Sequence, residues 1–385
     1  MKADREAVLA MVRAEGFELA GIAPASEVPE ARAAAQEARQ AGRLADMRWM
    51  TAEWIERSTR PDAFLAGAKS IVVVALPNHS PEPDLPGGGG TRGRVARYAR
   101  GRDYHRVFES KLRRVARRMR EEFGAEARGT VDYGPLLERP YASLAGLAWL
   151  GKSSMALVPG FGPWVMLGAV ATTLELETDA PLKKSCGSCS RCIVACPTGA
   201  IAPDGQVVDS RLCISYHTIE NRGVIPRELR EKFGGWVFGC DACLDSCPVG
   251  ATRFESHADF VPKGVDDAFP VLAELLELDE DGFRERFRGR AVTRAKRDGM
   301  ARNACVALGN VGGIADLALI VRALSDVSPL VRGHAAWALG RLSIRWERNE
   351  EGRAVLEHAL ADEQDSYVRE ELLLALEDIA GGHDG

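Results

Sequence analysis

Eight of the nine cysteines lie between residues 186 and 247, and they constrain this chain more than any other feature. The window opens Cys186-Gly-Ser-Cys189-Ser-Arg-Cys192-Ile-Val-Ala-Cys196-Pro197, passes Cys213, and closes Cys240-Asp-Ala-Cys243-Leu-Asp-Ser-Cys247-Pro248. Two groups therefore share a C-x2-C … x3-C-P rhythm, the spacing at which thiolates wrap iron–sulfur cubes. C-x2-C pairs also build zinc ribbons, but two Cys-Pro endings and a complete octet favour iron and sulfide. The remainder of the chain then has to be explained as something that uses electrons.

A [4Fe–4S] cube takes four thiolates, so two cubes account for the octet. The ninth cysteine, Cys305, falls on the apolar face of a helical pattern and reads as a small core residue. Cys186, Cys189 and Cys192 can hold three corners of one cube. In the bacterial two-cluster ferredoxin pattern the cysteine before proline crosses to the other cube, which assigns Cys247 to the first site and Cys196 to the second. Only Cys240 and Cys243 stand at local spacing for the second site. Val237 occupies the place of a third ligand, and Cys213 is the remaining candidate.

At 385 residues the chain exceeds one ordinary core. No apolar run approaches the roughly 18 residues of a membrane span, and the start shows neither an apolar signal core nor paired arginines. The expectation is a cytoplasmic monomer with no membrane partner, where clustered cysteines are ligands rather than disulfides. The net charge of -5 hides two basic stretches. Arg92 to Arg120 carries twelve Lys or Arg against Asp103 and Glu109, and Arg284 to Arg302 carries eight against two acids. Such stripes suit a polyanion or form a solvated helix face.

Residues 4–15, 30–58 and 104–123 read as helices. Ile71-Val-Val-Val-Ala-Leu76 reads as a buried strand, and Trp164 to Thr173 as a second. Pro86-Gly-Gly-Gly-Gly90 marks a loop, and Gly129-Thr-Val-Asp132 a strand end feeding a turn at Tyr133-Gly134-Pro135. Further on, Asn303-Ala-Cys-Val-Ala-Leu-Gly309 matches His334-Ala-Ala-Trp-Ala-Leu-Gly340, and Ser328-Pro-Leu-Val-Arg332 matches Asp365-Ser-Tyr-Val-Arg369. That texture predicts HEAT-like helix pairs, which bury their apolar sides only by stacking. The expected fold is an α+β/α multidomain chain: a helix-flanked sheet over 1–177, a two-[4Fe–4S] ferredoxin module over 178–265, and HEAT-like repeats over 266–385.

Five further segments carry a resemblance. They are Arg97-Tyr98-Ala-Arg100-Gly-Arg102-Asp103-Tyr104-His105, Val131-Asp132-Tyr-Gly-Pro-Leu-Leu-Glu138, Ala145-Gly-Leu-Ala-Trp-Leu-Gly151-Lys152-Ser153-Ser154, Cys213-Ile-Ser215-Tyr216-His-Thr218-Ile219-Glu220 and Phe238-Gly239-Cys240-Asp241. Together they resemble the epoxyqueuosine reductase family, enzymes of the last step of queuosine synthesis in tRNA. The resemblance implies a cobalamin beside the two clusters, held in a first domain like that of reductive dehalogenases. The D-x-H-x-x-G cobalamin signature is absent: Asp103-Tyr-His105-Arg-Val-Phe108 ends in Phe. A base-off cobalt is therefore implied, and His105 reads as an ordinary residue of a basic helix.

The Gly151-Lys152-Ser153-Ser154 segment offers N–H groups, hydroxyls and a cation to a corrinoid tail, and it lacks the glycine spacing of a phosphate-binding nucleotide loop. Arg57, Tyr98, Ser215, Tyr216 and Asp241 join it as implied cobalamin neighbours. Removing an epoxide oxygen as water calls for a positioned acid. The resemblance assigns that role to Asp132, whose carboxyl is expected to be raised in pKa beside an apolar corrin face. The implied partners are tRNA carrying epoxyqueuosine and an external flavodoxin- or ferredoxin-type electron donor. Arg294, Lys296, Arg297, Arg302 and Asn303, at the head of the repeats, are expected to contact RNA phosphates. Leu244, Ser246, Val249 and Gly250 depart from the family's Gln-x-Val-Cys-Pro-Trp-Asn run without costing a ligand. Two rival readings are a corrinoid reductase of a small organic substrate and a non-catalytic electron carrier with a HEAT docking domain.

Overall fold

An apolar run without alternation predicts a strand covered on both faces, and Ser70–Pro77 is buried from Ser70 to Leu76. The computed structural model describes residues 5–85 and 87–381. The expected helix start at Asp4 and Pro86 of the glycine-rich loop lie outside the described residues. Packing divides the chain into two units that do not follow chain order. Met1–Pro81, Gly101–Cys213 and Asp241–Val261 form one, and Glu82–Arg100, Ile214–Cys240 and Pro262–Gly385 form the other.

The first unit is built on four strands, β1 (Leu19–Pro24), β2 (Ser70–Pro77), β3 (Ala127–Thr130) and β4 (Val165–Thr172), in the order β1-β2-β4-β3. Every neighbouring pair is antiparallel, with Val73 facing Gly21 on one side and Ala169 on the other. Strand β1, Leu-Ala-Gly-Ile-Ala-Pro, holds one β-branched residue and leaves no strand signal in the sequence. The expected helix over 30–58 is two, Pro29–Gln40 and Ala52–Ser58. The second begins where the Thr51 hydroxyl accepts the Trp54 N–H.

Helix α1 (Tyr104–Phe123) covers one face of this sheet. Its buried residues Tyr104, Val107, Phe108, Leu112, Val115, Ala116 and Met119 recur three and four apart, which makes one apolar stripe. The Asp103 carboxylate caps its first turn and Gly124, at φ 63°, ends it. Gly168 of β4 lets the helix approach: a Cβ there would lie 2.5 Å from the Phe108 ring. Helix α2 (Glu138–Leu144) lies on the opposite face, with Tyr141 and Ala142 among Ile71, Val73, Leu136 and Ala169.

In the second unit the helices α3 (Lys296–Val311), α4 (Pro329–Arg345) and α5 (Ser366–Gly381) stack in sequence. Leu317–Ala323 and Asn349–Asp362 complete the helix pairs. Cys305 is fully buried between repeats, and burial pushes its thiol far above the ordinary range. Ile214–Cys240 packs with these repeats, although Cys240 belongs to the cluster motif. The wholly buried Arg230 pairs with Glu371 of α5, which Arg227 also reaches at 2.6 Å. Arg97 and Arg100 are likewise buried on Glu82, so the first basic stretch is not one continuous surface. Among the described residues no helix is long and apolar enough to cross a membrane.

Glu371→Ala would leave Arg230 buried without its counter-charge, a loss of about 3–5 kcal/mol. The denaturant midpoint followed by circular dichroism should fall accordingly, and an unchanged midpoint would contradict this packing.

Candidate functional site

Cysteine loops of this kind turn by local hydrogen bonds. Cys189 N–H donates to the Cys186 carbonyl at 3.0 Å, and Cys247 N–H to the Leu244 carbonyl at 3.1 Å. The two short helices Arg191–Val194 and Ala242–Asp245 carry Cys192 and Cys243 and pack on each other within the first unit. Burial raises the Cys247 thiol, and the neighbouring Cys186, Cys192 and Cys189 raise it further. Those four sulfurs thus share one neighbourhood. Cys196 accepts the Ala200 N–H at 3.2 Å, a contact that stabilises a thiolate. Cys213 precedes the helix Ile214–Ile219, and Cys240 follows the strand Trp236–Phe238.

Asp132 lies between β3 and α2, on a loop that folds tightly because Gly134 has no side chain. A Cβ at Gly134 would fall 1.6 Å from the Thr130 hydroxyl. Asp132 itself adopts φ 49°, the left-handed region that short polar residues tolerate. Its side chain is exposed, its N–H donates to the Glu138 carboxylate, and its Oδ2 lies 3.1 Å from Nε2 of His105. The other ring nitrogen of His105 lies 2.8 Å from the Asp103 carboxylate.

This arrangement corrects the expectation for Asp132. Desolvation by the loop acts to raise its carboxyl, but the His105 hydrogen bond and charge outweigh it. Tyr104 and Arg139 add to that, and the carboxyl is held below the ordinary range. The reverse holds for His105, whose burial acts to lower it while Asp103 and Asp132 lift it to about 9. The helix N-terminus opposes that cation by about 0.3–1 kcal/mol, less than two adjacent carboxylates contribute. Burial and then the Asp132 charge push Glu138 up to about 7. His105 is thus not an ordinary helix residue but part of the Asp132 site. Its signal in the sequence was an imidazole two residues after a helix-capping aspartate.

The Gly151–Ser154 turn sits in the same unit, and Arg139 links it to the Asp132 loop by donating to the Ser154 carbonyl at 3.0 Å. Lys152 and Ser153 are half-buried, Arg57 is exposed and Asp241 is buried. Tyr98, Ser215 and Tyr216 belong to the second unit, where the Tyr98 ring packs near Phe238 and Tyr216 is buried.

The expected phosphate contacts separate into two kinds. Lys296 and Arg294 are exposed, with Arg294 paired to Glu220 at 2.7 Å. Arg297 is buried and forked onto Asp326, which removes it from the surface. Arg302 and Asn303 are wholly buried. Arg302 donates to the carbonyls of His217, Asn221 and Gly223, and Asn303 to those of Thr218 and Val237. They hold backbone, not RNA.

Thiolates in cluster spacing, together with an imidazole–carboxylate pair that can hold and move a proton, are the equipment of an iron–sulfur oxidoreductase. The family described as "Epoxyqueuosine reductase QueG, DUF1730" matches residues 59–133, a 4Fe-4S double cluster binding domain matches 185–250, and HEAT repeats match 290–377. An epoxyqueuosine reductase of Gloeobacter violaceus is 38% identical over 78% of this chain and 94% of its own length. One of Bacillus anthracis is 32% identical over 98% and 97%. Among solved structures, an epoxyqueuosine reductase with a tRNA-Tyr epoxyqueuosine-modified stem loop matches at TM-score 0.89 with 28% identity, over 97% of this chain and 98% of that one. The Bacillus subtilis enzyme with its catalytic aspartate loop swung out of the active site matches equally, at 0.89 and 28% over the same shares. The chain belongs to the epoxyqueuosine reductase family and is an oxidoreductase with a double-cluster [4Fe–4S] domain.

Arg302→Met would strand carbonyl acceptors at a cost of about 1–3 kcal/mol each. The expected result is a lower unfolding midpoint and less iron retained per chain. Normal iron content together with weakened RNA binding would instead return Arg302 to the surface role.

Proposed function

We propose that this chain reduces epoxyqueuosine to queuosine in the anticodon loop of tRNA in the cytoplasm, with Asp132 as the group that protonates the opened oxygen. The observation that carries the reading is the exposed Asp132 carboxylate on its left-handed loop. The relative with a bound modified stem loop, and the aspartate loop that swings in the Bacillus subtilis enzyme, support a loop acid on an RNA substrate.

The epoxide C–O bonds break, two electrons enter, and the oxygen leaves as water with two protons, so a C=C bond remains. Cys186, Cys189, Cys192 and Cys247 would hold one [4Fe–4S] cluster, and Cys196, Cys213, Cys240 and Cys243 the other. The clusters supply one-electron transfer from a flavodoxin- or ferredoxin-type donor. The first unit also offers a donor set that fits a corrinoid tail: Lys152, Ser153 and Ser154 at a hairpin turn, tied through Arg139 to the Asp132 loop. When bound, cobalamin supplies a low-valent cobalt able to reduce the epoxide carbon. The protein's own part is to present Asp132 to the oxygen and to orient the nucleoside.

Lys296 and Arg294 at the head of α3 are the proposed phosphate contacts, which position RNA without reading its sequence. Replacing both with Glu should weaken binding to all tRNAs alike and flatten the dependence of log K on log salt by about two. An unchanged slope would remove this surface from the interface.

The central test is anaerobic turnover of epoxyqueuosine-containing tRNA with cobalamin and reductant, followed by mass analysis of the nucleosides. The wild type should convert the substrate with loss of one oxygen atom, and Asp132→Asn should slow conversion about 10²–10⁴-fold. Absence of oxygen loss in the wild type sinks the proposal.

A further inference from the structure

The reaction consumes two protons, but a carboxylate that has given one must be recharged before it can give another. In this structure the Asp132 carboxylate is already in contact with a group that can recharge it. We infer that His105, hydrogen-bonded at once to Asp103 and Asp132, is the positioning residue that supplies Asp132 with the protons it delivers. This inference rests on Asp132 being the proton donor.

The geometry makes His105 a proton store. Asp103 Oδ1 accepts both the His105 backbone N–H at 3.1 Å and its ring Nδ1–H at 2.8 Å, which fixes the ring with Nε2 toward Asp132. The Tyr104 ring stacks on the imidazole at 4.0 Å between centroids and Tyr133 approaches at 5.3 Å. Two π-faces favour the cationic ring. The 3.1 Å Nε2···Oδ2 contact is short enough for a proton to pass without either side chain leaving its place.

The other charges around the pair are of both signs. Asp103 caps α1 and Arg106 lies on it, and Glu138 and Arg139 lie on α2. Further along α1, His257 and Asp259, at the short turn Ala258–Phe260, face Lys111. Glu15, after the first helix, takes Arg114. With His105 lifted to about 9 and Asp132 held low, the proton resides on the imidazole at neutral pH.

The steps balance. A proton moves from His105 Nε2 to Asp132 and on to the epoxide oxygen as the first C–O bond opens. The imidazole is recharged from solvent, and a second proton follows the same path as the second C–O bond breaks and water leaves. The two electrons come from the enzyme's reductant.

The test is steady-state reduction of epoxyqueuosine-containing tRNA by the holoenzyme, with kcat and KM measured from neutral to alkaline pH. The imidazolium is present below about pH 9 and lost above it, so wild-type kcat should fall on that limb. His105→Gln should lower kcat about 100-fold with KM nearly unchanged. Asp103→Asn keeps the ring but removes a partner that raises it, so the alkaline limb should move to lower pH. Wild-type kcat in His105→Gln, or an unmoved limb in Asp103→Asn, overturns the relay. Full turnover in Asp132→Asn would instead take down the donor assignment beneath it.

Discussion

The second unit depends on a buried charge held by backbone oxygen. Among the described residues, Arg302 meets the carbonyls of His217, Asn221 and Gly223 and the side-chain oxygen of Asn303, rather than a carboxylate. Burial pulls the guanidinium down to about 9, so it still carries its charge at neutral pH. A desolvated cation survives only when its donors are satisfied, and here the carbonyl acceptors all come from one stretch of chain. Asn303 extends the grip to Thr218 and Val237, and the Thr218 hydroxyl accepts the Gly239 N–H. The peptide from Cys213 to Cys240 is thereby anchored between its two terminal thiols by the first helix of the repeats.

That anchoring bears on the irregular cysteine spacing. Val237, which stands where a local third cysteine would be, is fully buried in the strand Trp236–Phe238, which pairs with Arg94–Val95. A thiolate at that position would point into a core instead of toward a cluster. Supplying a ligand from Cys213, at the other end of the anchored segment, is consistent with both the strand and the octet.

The cysteine rhythm was legible because ligand spacing is a local property of the chain, and the same is true of the α1 stripe, the β2 run and the repeated Val-Arg helices. Strand β1 was not, because its six residues carry little β propensity and are held by β2 alone. The head of the repeats misled for another reason. A run of Arg, Lys and Asn has the same composition whether it faces phosphate or carbonyl oxygen, and only the tertiary environment sends Arg297 and Arg302 inward while Lys296 stays out.

At Asp132 the electrostatics run opposite to the expectation. Beside the apolar corrin face that the resemblance implies, a raised carboxyl is expected. His105 reverses that, because an imidazolium at 3.1 Å favours the carboxylate more than the loop's desolvation disfavours it. A lone carboxylic acid at neutral pH would need a dry pocket, which an exposed loop cannot provide. Pairing the carboxylate with a cation that keeps its proton to about pH 9 solves the same problem on an open surface. The proton then resides on the imidazole at the capped end of α1, and the charge it balances lies on the loop carboxylate 3.1 Å away.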